Sequence, residues 1–230
     1  MTNGQNRDDV ASLTEKAYQA ISSAIARLEL QPGEALTQDR LAKWLSISRT
    51  PVREALRRLE QDGIIQTAPG RGLIVTELTI KDVQDLLEML GLLDTHAAYL
   101  AAQRRSPAQA DQLVAIAAAL SGAAERYDIE AWDRIDHPYH ETLLDASGNQ
   151  FLRRSIEDVR RRLQRITYHL AIQPEHLLAG TREHVDLAQA IYHGDPDAAA
   201  GVMRQHLDTM RLMAMNMIRT HIVPVRGERF

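Results

Sequence analysis

Apolar residues recur every three or four positions along most of the chain, the spacing that turns one face of an α-helix toward a core. Leu13, Ala17, Ile21, Ile25 and Leu28 keep this spacing up to Pro32 and Gly33, and predict one helix with a single buried stripe. Thr37 is placed to cap a second, short helix carrying Leu41, Leu45 and Trp44, the last read as a buried side chain. A turn at Ser46 and Ile47 leads to a third helix capped by Ser48 or Thr50. Pro51 lies in its first turn, and Val52, Ala55, Leu56 and Leu59 point inward up to Gly63. The period then changes to that of strands: residues 64–67 and 73–76 read as a short hairpin around Pro69, Gly70, Arg71 and Gly72.

The helical period returns and persists. Thr79 with Asp82 has the form of a capping box opening a long helix through Val83, Leu86, Leu90, Leu93, Ala97 and Leu100. Further starts fall at Ser106-Pro107 with Gln109, at Asp128, at Gly148-Asn149, at Pro174 and at Asp195-Pro196. The expected fold class is therefore mainly α. Residues 1–76 form three helices and a wing, a winged helix-turn-helix, and residues 77–230 form an all-α six-helix antiparallel bundle. A short linker joins them at about 76–79.

Composition agrees: aromatics make up 4% of the 230 residues, and the apolar share is mostly Ala, Leu, Ile and Met, which favours helices. No apolar run approaches the roughly 20 residues of a membrane span, and the polar start MTNGQNRDD lacks the layout of a signal peptide, so a cytoplasmic protein without a membrane partner is expected. Cys is absent, which excludes disulfides and leaves His, Asp and Glu as metal ligands. The net charge of -4 hides a segmental imbalance. Residues 40 to 58 hold Arg40, Lys43, Arg49, Arg53, Arg57 and Arg58 against Glu54 alone. Such a basic stripe gains by displacing counterions condensed on phosphates.

Arg49, Arg53 and Arg57 lie at i, i+4 and i+8, opposite Val52 and Leu59. A helix with that face can enter the major groove and pair Arg with guanine, while the glycines of the wing bring backbone close to DNA and Arg71 reaches phosphate or the minor groove. The stretch LQPGEALTQDRLAKWLSISRTPVREALRRLEQDGIIQTAPGRGLIV resembles the head of GntR-family regulators almost throughout. The resemblance implies that Arg40, Arg49, Arg53 and Gly70 touch DNA; Thr50, between the two arginines, can donate to a phosphate.

In the bundle the informative residues are acids and histidines on apolar stripes. Asp136 and His140 share a stripe with Trp132, Tyr139 and Leu143; His184 lies with Leu177, Ala188 and Ile191; His206 lies with Ala199, Met203, Met210 and Met213. Four inward titratable groups without an Arg or Lys on the same stripes are costly to bury, and one divalent cation satisfies them together. The methionines at 203, 210, 213, 215 and 217 read as packing. No Gly-rich phosphate loop, Ser-His-Asp order or dinucleotide fingerprint occurs in this region, so no enzyme is expected. A metal hydrolase fused to the head is an alternative, but hydrolytic zinc needs a nearby carboxylate base and the stripes offer no spare one.

DHPYHETLLDASGN, REHVDLAQAI and GDPDAAAGVMRQHL resemble the FCD ligand-binding domain found behind the GntR head in the FadR and VanR group. The resemblance implies that Asp136, His140, His184 and His206 bind a divalent ion, with zinc first and nickel or manganese as alternatives. It also implies a homodimer on a near-palindromic double-stranded operator, and a repressor released by a small-molecule effector, such as a carboxylate, at the metal. A purely structural metal is the competing role. One departure stands out. Where many members carry an effector-binding Arg on the first bundle helix, this chain has Leu90, four residues before Asp94. Either Arg162 or Arg165 replaces it, or the effector is larger and less acidic. The run Arg160, Arg161, Arg162 and Arg165 otherwise reads as a solvated face, and His96 and His169, which could line the pocket, read as surface or capping residues.

Overall fold

The computed structural model describes residues 3–220 and 223–226, with side chains from residue 11 onward except those of 175 and 176. The chain divides into two compact units, residues 1–80 with 224–230, and residues 81–223.

The first unit contains α1 (Asn3–Ala26), α2 (Gln38–Leu45), α3 (Arg49–Gln61), β1 (Ile65–Ala68) and β2 (Gly72–Val75). Its core is built from Ala17, Ile21 and Ile25 of α1 against Val52, Leu56 and Leu59 of α3, closed by Leu41, Ile65 and Val75. Helix α1 ends at Ala26, earlier than the Pro32-Gly33 signal suggests. Leu28 takes a left-handed conformation, φ 61°, and Glu29 and Leu28 donate back to the carbonyls of Ala24 and Ile25, closing the last turn as a Schellman motif does. Thr37 caps α2, accepting from the Arg40 amide. Trp44, expected inside, is 49% exposed: α2 buries Leu41 and Ala42, and Trp44 projects from the opposite side. The two strands pair antiparallel with Ile65 opposite Val75, one residue displaced from the expected ranges. Gly70 and Gly72 both have positive φ at the hairpin end, which explains glycine at each.

The linker pairs with the end of the chain. Thr79 bridges Arg226 in parallel, and the Arg226 amide donates to the Leu78 carbonyl at 2.7 Å. The compact units thus part at Ile80, and the described residues 224–226 group with the head.

The second unit carries α4 (Ile80–Arg104), α5 (Pro107–Glu125), α6 (Ile129–Ser147), α7 (Gln150–Ala171), α8 (Pro174–His193) and α9 (Pro196–Arg219), the six expected helices. Every start signal after α4 is realised: Ser106 with Gln109 as a full capping box, Asp128, Asn149 and Asp195 as side-chain caps, and Pro174 in the first turn of α8. Helix α5 buries Ala110, Leu113, Ala117, Leu120, Ala123 and Ala124. Its small side chains let α6 and α8 approach closely on either side. That packing sets α6 and α8 at the distance at which their histidines meet. Helix α7 packs on α6, α8 and α9.

Candidate functional site

The head presents its basic residues on one side of α3. Arg49, Arg53 and Arg57 have side chains 72%, 59% and 69% exposed, while Val52, Ala55, Leu56 and Leu59 are buried beneath them. Thr50 is exposed in the first turn, and Ser48 occupies the cap position without a side-chain hydrogen bond. Arg58 turns the other way, pairing with Glu15 at 2.8 Å and lying 4.5 Å over the Tyr18 ring, so it ties α3 to α1. Arg40 pairs with Glu34 at 2.5 Å and Arg49 with Asp39 at 2.7 Å. Gly70 lies in open space at the wing, and Arg71 beside it donates to the Gly33 carbonyl at 2.6 Å, folded back onto the head.

Inside the helical unit, Asp136 and His140 lie one turn apart on α6 and face His184 on α8. Asp136 Oδ1 is 3.2 Å from His184 Nε2 and 3.5 Å from His140 Nε2, and the two Nε2 atoms are 3.4 Å apart. Donors held about 2.0–2.1 Å from one tetrahedral centre are about 3.3–3.4 Å from each other, so this triangle has the edge lengths of one face of such a site. His184 donates from Nδ1 to the Gly180 carbonyl at 2.6 Å, which places a proton on Nδ1 and turns Nε2 toward the triangle. Tyr139 donates to the His184 carbonyl at 2.8 Å, and Trp132 donates to Thr181 Oγ1 one turn before it at 2.8 Å; both rings meet the His184 ring edge-on.

Burial pushes His140 down to about 4, with the Arg160 charge acting in the same direction, so its imidazole is neutral at pH 7. Burial opposes ionisation of Asp136, yet the adjacent His140 and His184 hold its carboxyl well below the usual range. Asp136 Oδ1 and His140 Nδ1 are buried without a hydrogen-bond partner. An ionised carboxylate with an orphaned oxygen, a neutral His140 and the Nε2 of His184 around one point fit a divalent cation.

Of the four expected ligands the structure brings three together. The His206 ring lies 5.0 Å from that of His184, but its Nδ1 is bound to Glu183 Oε2 at 2.7 Å, and it stands outside the triad. Burial lowers its pKa against the pull of Glu183, leaving a neutral ring whose Nε2 is not held by that bond. Glu183, only 14% exposed, is the inward carboxylate that the apolar stripes gave no hint of; it precedes His184 directly and belongs to the adjoining stripe.

The arginines also sort differently from the expectation. Arg160, read as solvated, donates to Asp94 Oδ2 at 2.6 Å, and Asp94 is fully buried on α4. Arg162 pairs with Asp158 at 3.3 Å near the surface. Arg165 is buried, and that burial pushes its guanidinium down to about 10. Leu90 packs in the core at 2% exposure. His96 is exposed and stacks on Tyr99. Asp94, an acid on the buried stripe of Leu87, Leu90 and Ala97 on α4, is the signal that could have pointed to a cation from another helix.

The family described as "FCD domain" matches residues 85–209, more than half of the chain, and the bacterial regulatory proteins of the gntR family match residues 13–75. The chain belongs to the GntR regulators with an FCD domain. It is 31% identical over 219 residues to an uncharacterized HTH-type transcriptional regulator in an unstable DNA locus of Streptomyces ambofaciens, covering 90% of this chain and 84% of that protein. It is 27% identical over 199 residues to the HTH-type transcriptional repressor RspR of Escherichia coli, covering 85% and 86%. Its fold is like that of E. coli McbR/YncC, with a TM-score of 0.77 and 23% identity over 89% of this chain and 98% of that one. The GntR regulator is thus a DNA-binding transcriptional regulator whose FCD domain is the effector-binding part. Among the described residues no helix is long and apolar enough to cross a membrane.

Proposed function

We propose that this regulator is a cytoplasmic, homodimeric repressor that holds a divalent ion, zinc first, in its FCD domain and releases its operator when a small carboxylate binds there. The observation that carries the reading is the triangle of Asp136, His140 and His184 donors at 3.2–3.5 Å. His206 serves as the fourth ligand through Nε2 while Glu183 orients its ring, as outer-shell carboxylates do for metal-bound histidines. With four protein donors, the ion would take an anionic oxygen by expanding from the tetrahedron to five or six ligands. Arg160 takes the role that Leu90 cannot: Asp94 holds one end of its guanidinium, and the Nε edge is buried without a partner. Arg165 adds a second inward cation from the same helix. Nothing in this arrangement requires turnover.

In the head, Arg40, Arg49, Thr50, Arg53, Gly70 and Arg71 meet the DNA, and two heads related by a two-fold axis read a near-palindromic operator. The relative RspR carries the name of a repressor, which supports that sign of control. The test uses DNA that the protein itself selects from a random library. Fluorescence anisotropy should show carboxylic acids releasing this DNA from zinc-loaded protein and losing that effect after chelation or in Asp136→Ala. Equal release from chelated protein would overturn the reading.

A further inference from the structure

In the head, the acid Asp39 lies beside Arg49, and its role rests on the proposal above that Arg49 meets DNA. It belongs to the first turn of α2, its side chain is 67% exposed, and its Oδ1 is 2.7 Å from Nε of Arg49, the first residue of α3. Both side chains reach solvent, so for stability the pair is worth little. A carboxylate at a DNA interface also repels phosphates and costs affinity. Its contact with Arg49 is an ion pair made through Nε. A guanidinium held at Nε keeps the edge formed by its two terminal nitrogens pointed away from the acid, and that edge is the fork that pairs with O6 and N7 of guanine. The N-terminal residues of the second helix in a helix-turn-helix are those that reach base edges.

We infer that Asp39 is a positioning residue for sequence specificity: it fixes the Arg49 guanidinium so that Arg49 reads a guanine and not a phosphate. An unrestrained arginine at a helix start can turn to either phosphate or base. A carboxylate behind it biases the rotamer, and the Asp39 charge penalises any pose that brings a phosphate to that corner. Arg40 and its partner Glu34 do not duplicate this device, because Glu34 precedes α2 and Arg40 lies in the first turn of α2, not at the start of α3. The inference concerns the head alone and stands apart from the metal and the effector.

The test begins with DNA selected from a random library by the wild-type protein, on which Arg49→Ala identifies the base pair whose preference depends on Arg49. At that base pair wild type should prefer guanine by roughly 5- to 100-fold, the range of a good bidentate contact. Asp39→Ala should shrink the preference at the same base pair by about 2- to 5-fold, while affinity for random DNA stays equal or rises. Asp39→Asn, which keeps an acceptor, should recover part of the preference, and Asp39→Ala combined with Arg49→Ala should read no differently from Arg49→Ala alone. Thermal melting of each variant separates specificity from folding. Three results would overturn the inference: selected and random DNA bound more tightly by one common factor in Asp39→Ala, relaxation at a different base pair, or a loss on all DNA that follows a lowered melting temperature.

Discussion

Arg160→Ala removes the cation beside a carboxylate that has no access to water. Asp94 is fully buried and its Oδ2 accepts from Arg160 at 2.6 Å, while the Arg160 side chain is 26% exposed. Breaking a buried pair from one side costs about 3–5 kcal/mol, because the remaining charge is left uncompensated. Solvent at the Arg160 end relieves part of this, and about 2–3 kcal/mol is expected. For a chain of this length each kcal/mol moves the melting temperature by roughly 2–4 °C, so the drop should be about 4–12 °C. Pairing Arg160→Ala with Asp94→Asn removes both charges and should restore at least half of the loss, giving a coupling of about 1 kcal/mol or more. In a Trp44→Phe background, Trp132 is the one remaining tryptophan and its fluorescence follows the helical unit alone. A single variant that melts within about 1 °C of its parent, or two single effects that simply add, would refute the assignment of Arg160 to Asp94.

Arg53→Ala should lose about 1–3 kcal/mol of binding on the selected operator if Arg53 reads a base, measured by anisotropy; an equal loss on random DNA would make it a phosphate contact. Metal-free protein should lose stability as pH falls from about 6.5 toward 4. Over that window the unfolded chain protonates His140 and the folded chain, with His140 held at about 4, does not. Melting temperatures between pH 7.5 and 4.5 that are the same in wild type and His140→Gln would contradict this. Ser106→Ala breaks the capping box of α5, in which Ser106 and Gln109 each accept from the other's amide, and should cost about 1 kcal/mol in chemical denaturation. An unchanged midpoint and slope would show that the cap contributes nothing.

Local signals written in side chains survive folding well. Ser106-Pro107, Asp128, Asn149 and Asp195 start helices because their oxygens satisfy amides that no intrahelical partner can reach, and each does so in the structure. The inward placement of Asp136, His140 and His184 was legible for a similar reason: each lies on a stripe whose other members are strongly apolar. Periodicity along one helix was silent on matters between helices. Arg160 sits beside the apolar stripe of α7, and only the approach of α4 reveals that its partner is the buried Asp94. Glu183 occupies a neighbouring face of α8 that is covered by α9, so its contact with His206 depends on how those helices cross. Trp44 was misplaced because a large aromatic usually seeks a core, whereas α2 is too short to bury more than one narrow side. Leu28 ended α1 early through a left-handed turn that no glycine announced.

The ion itself is the most direct test of the metal-bearing sensor. Protein stripped with chelator, reloaded with zinc, passed through a desalting column and analysed for metal by mass spectrometry should retain one ion per chain. His184→Ala, lacking the imidazole whose Nε2 faces Asp136 at 3.2 Å, should retain far less while the head still binds DNA. Wild-type protein that emerges without metal, or a His184→Ala variant with the same stoichiometry as wild type, would contradict the account.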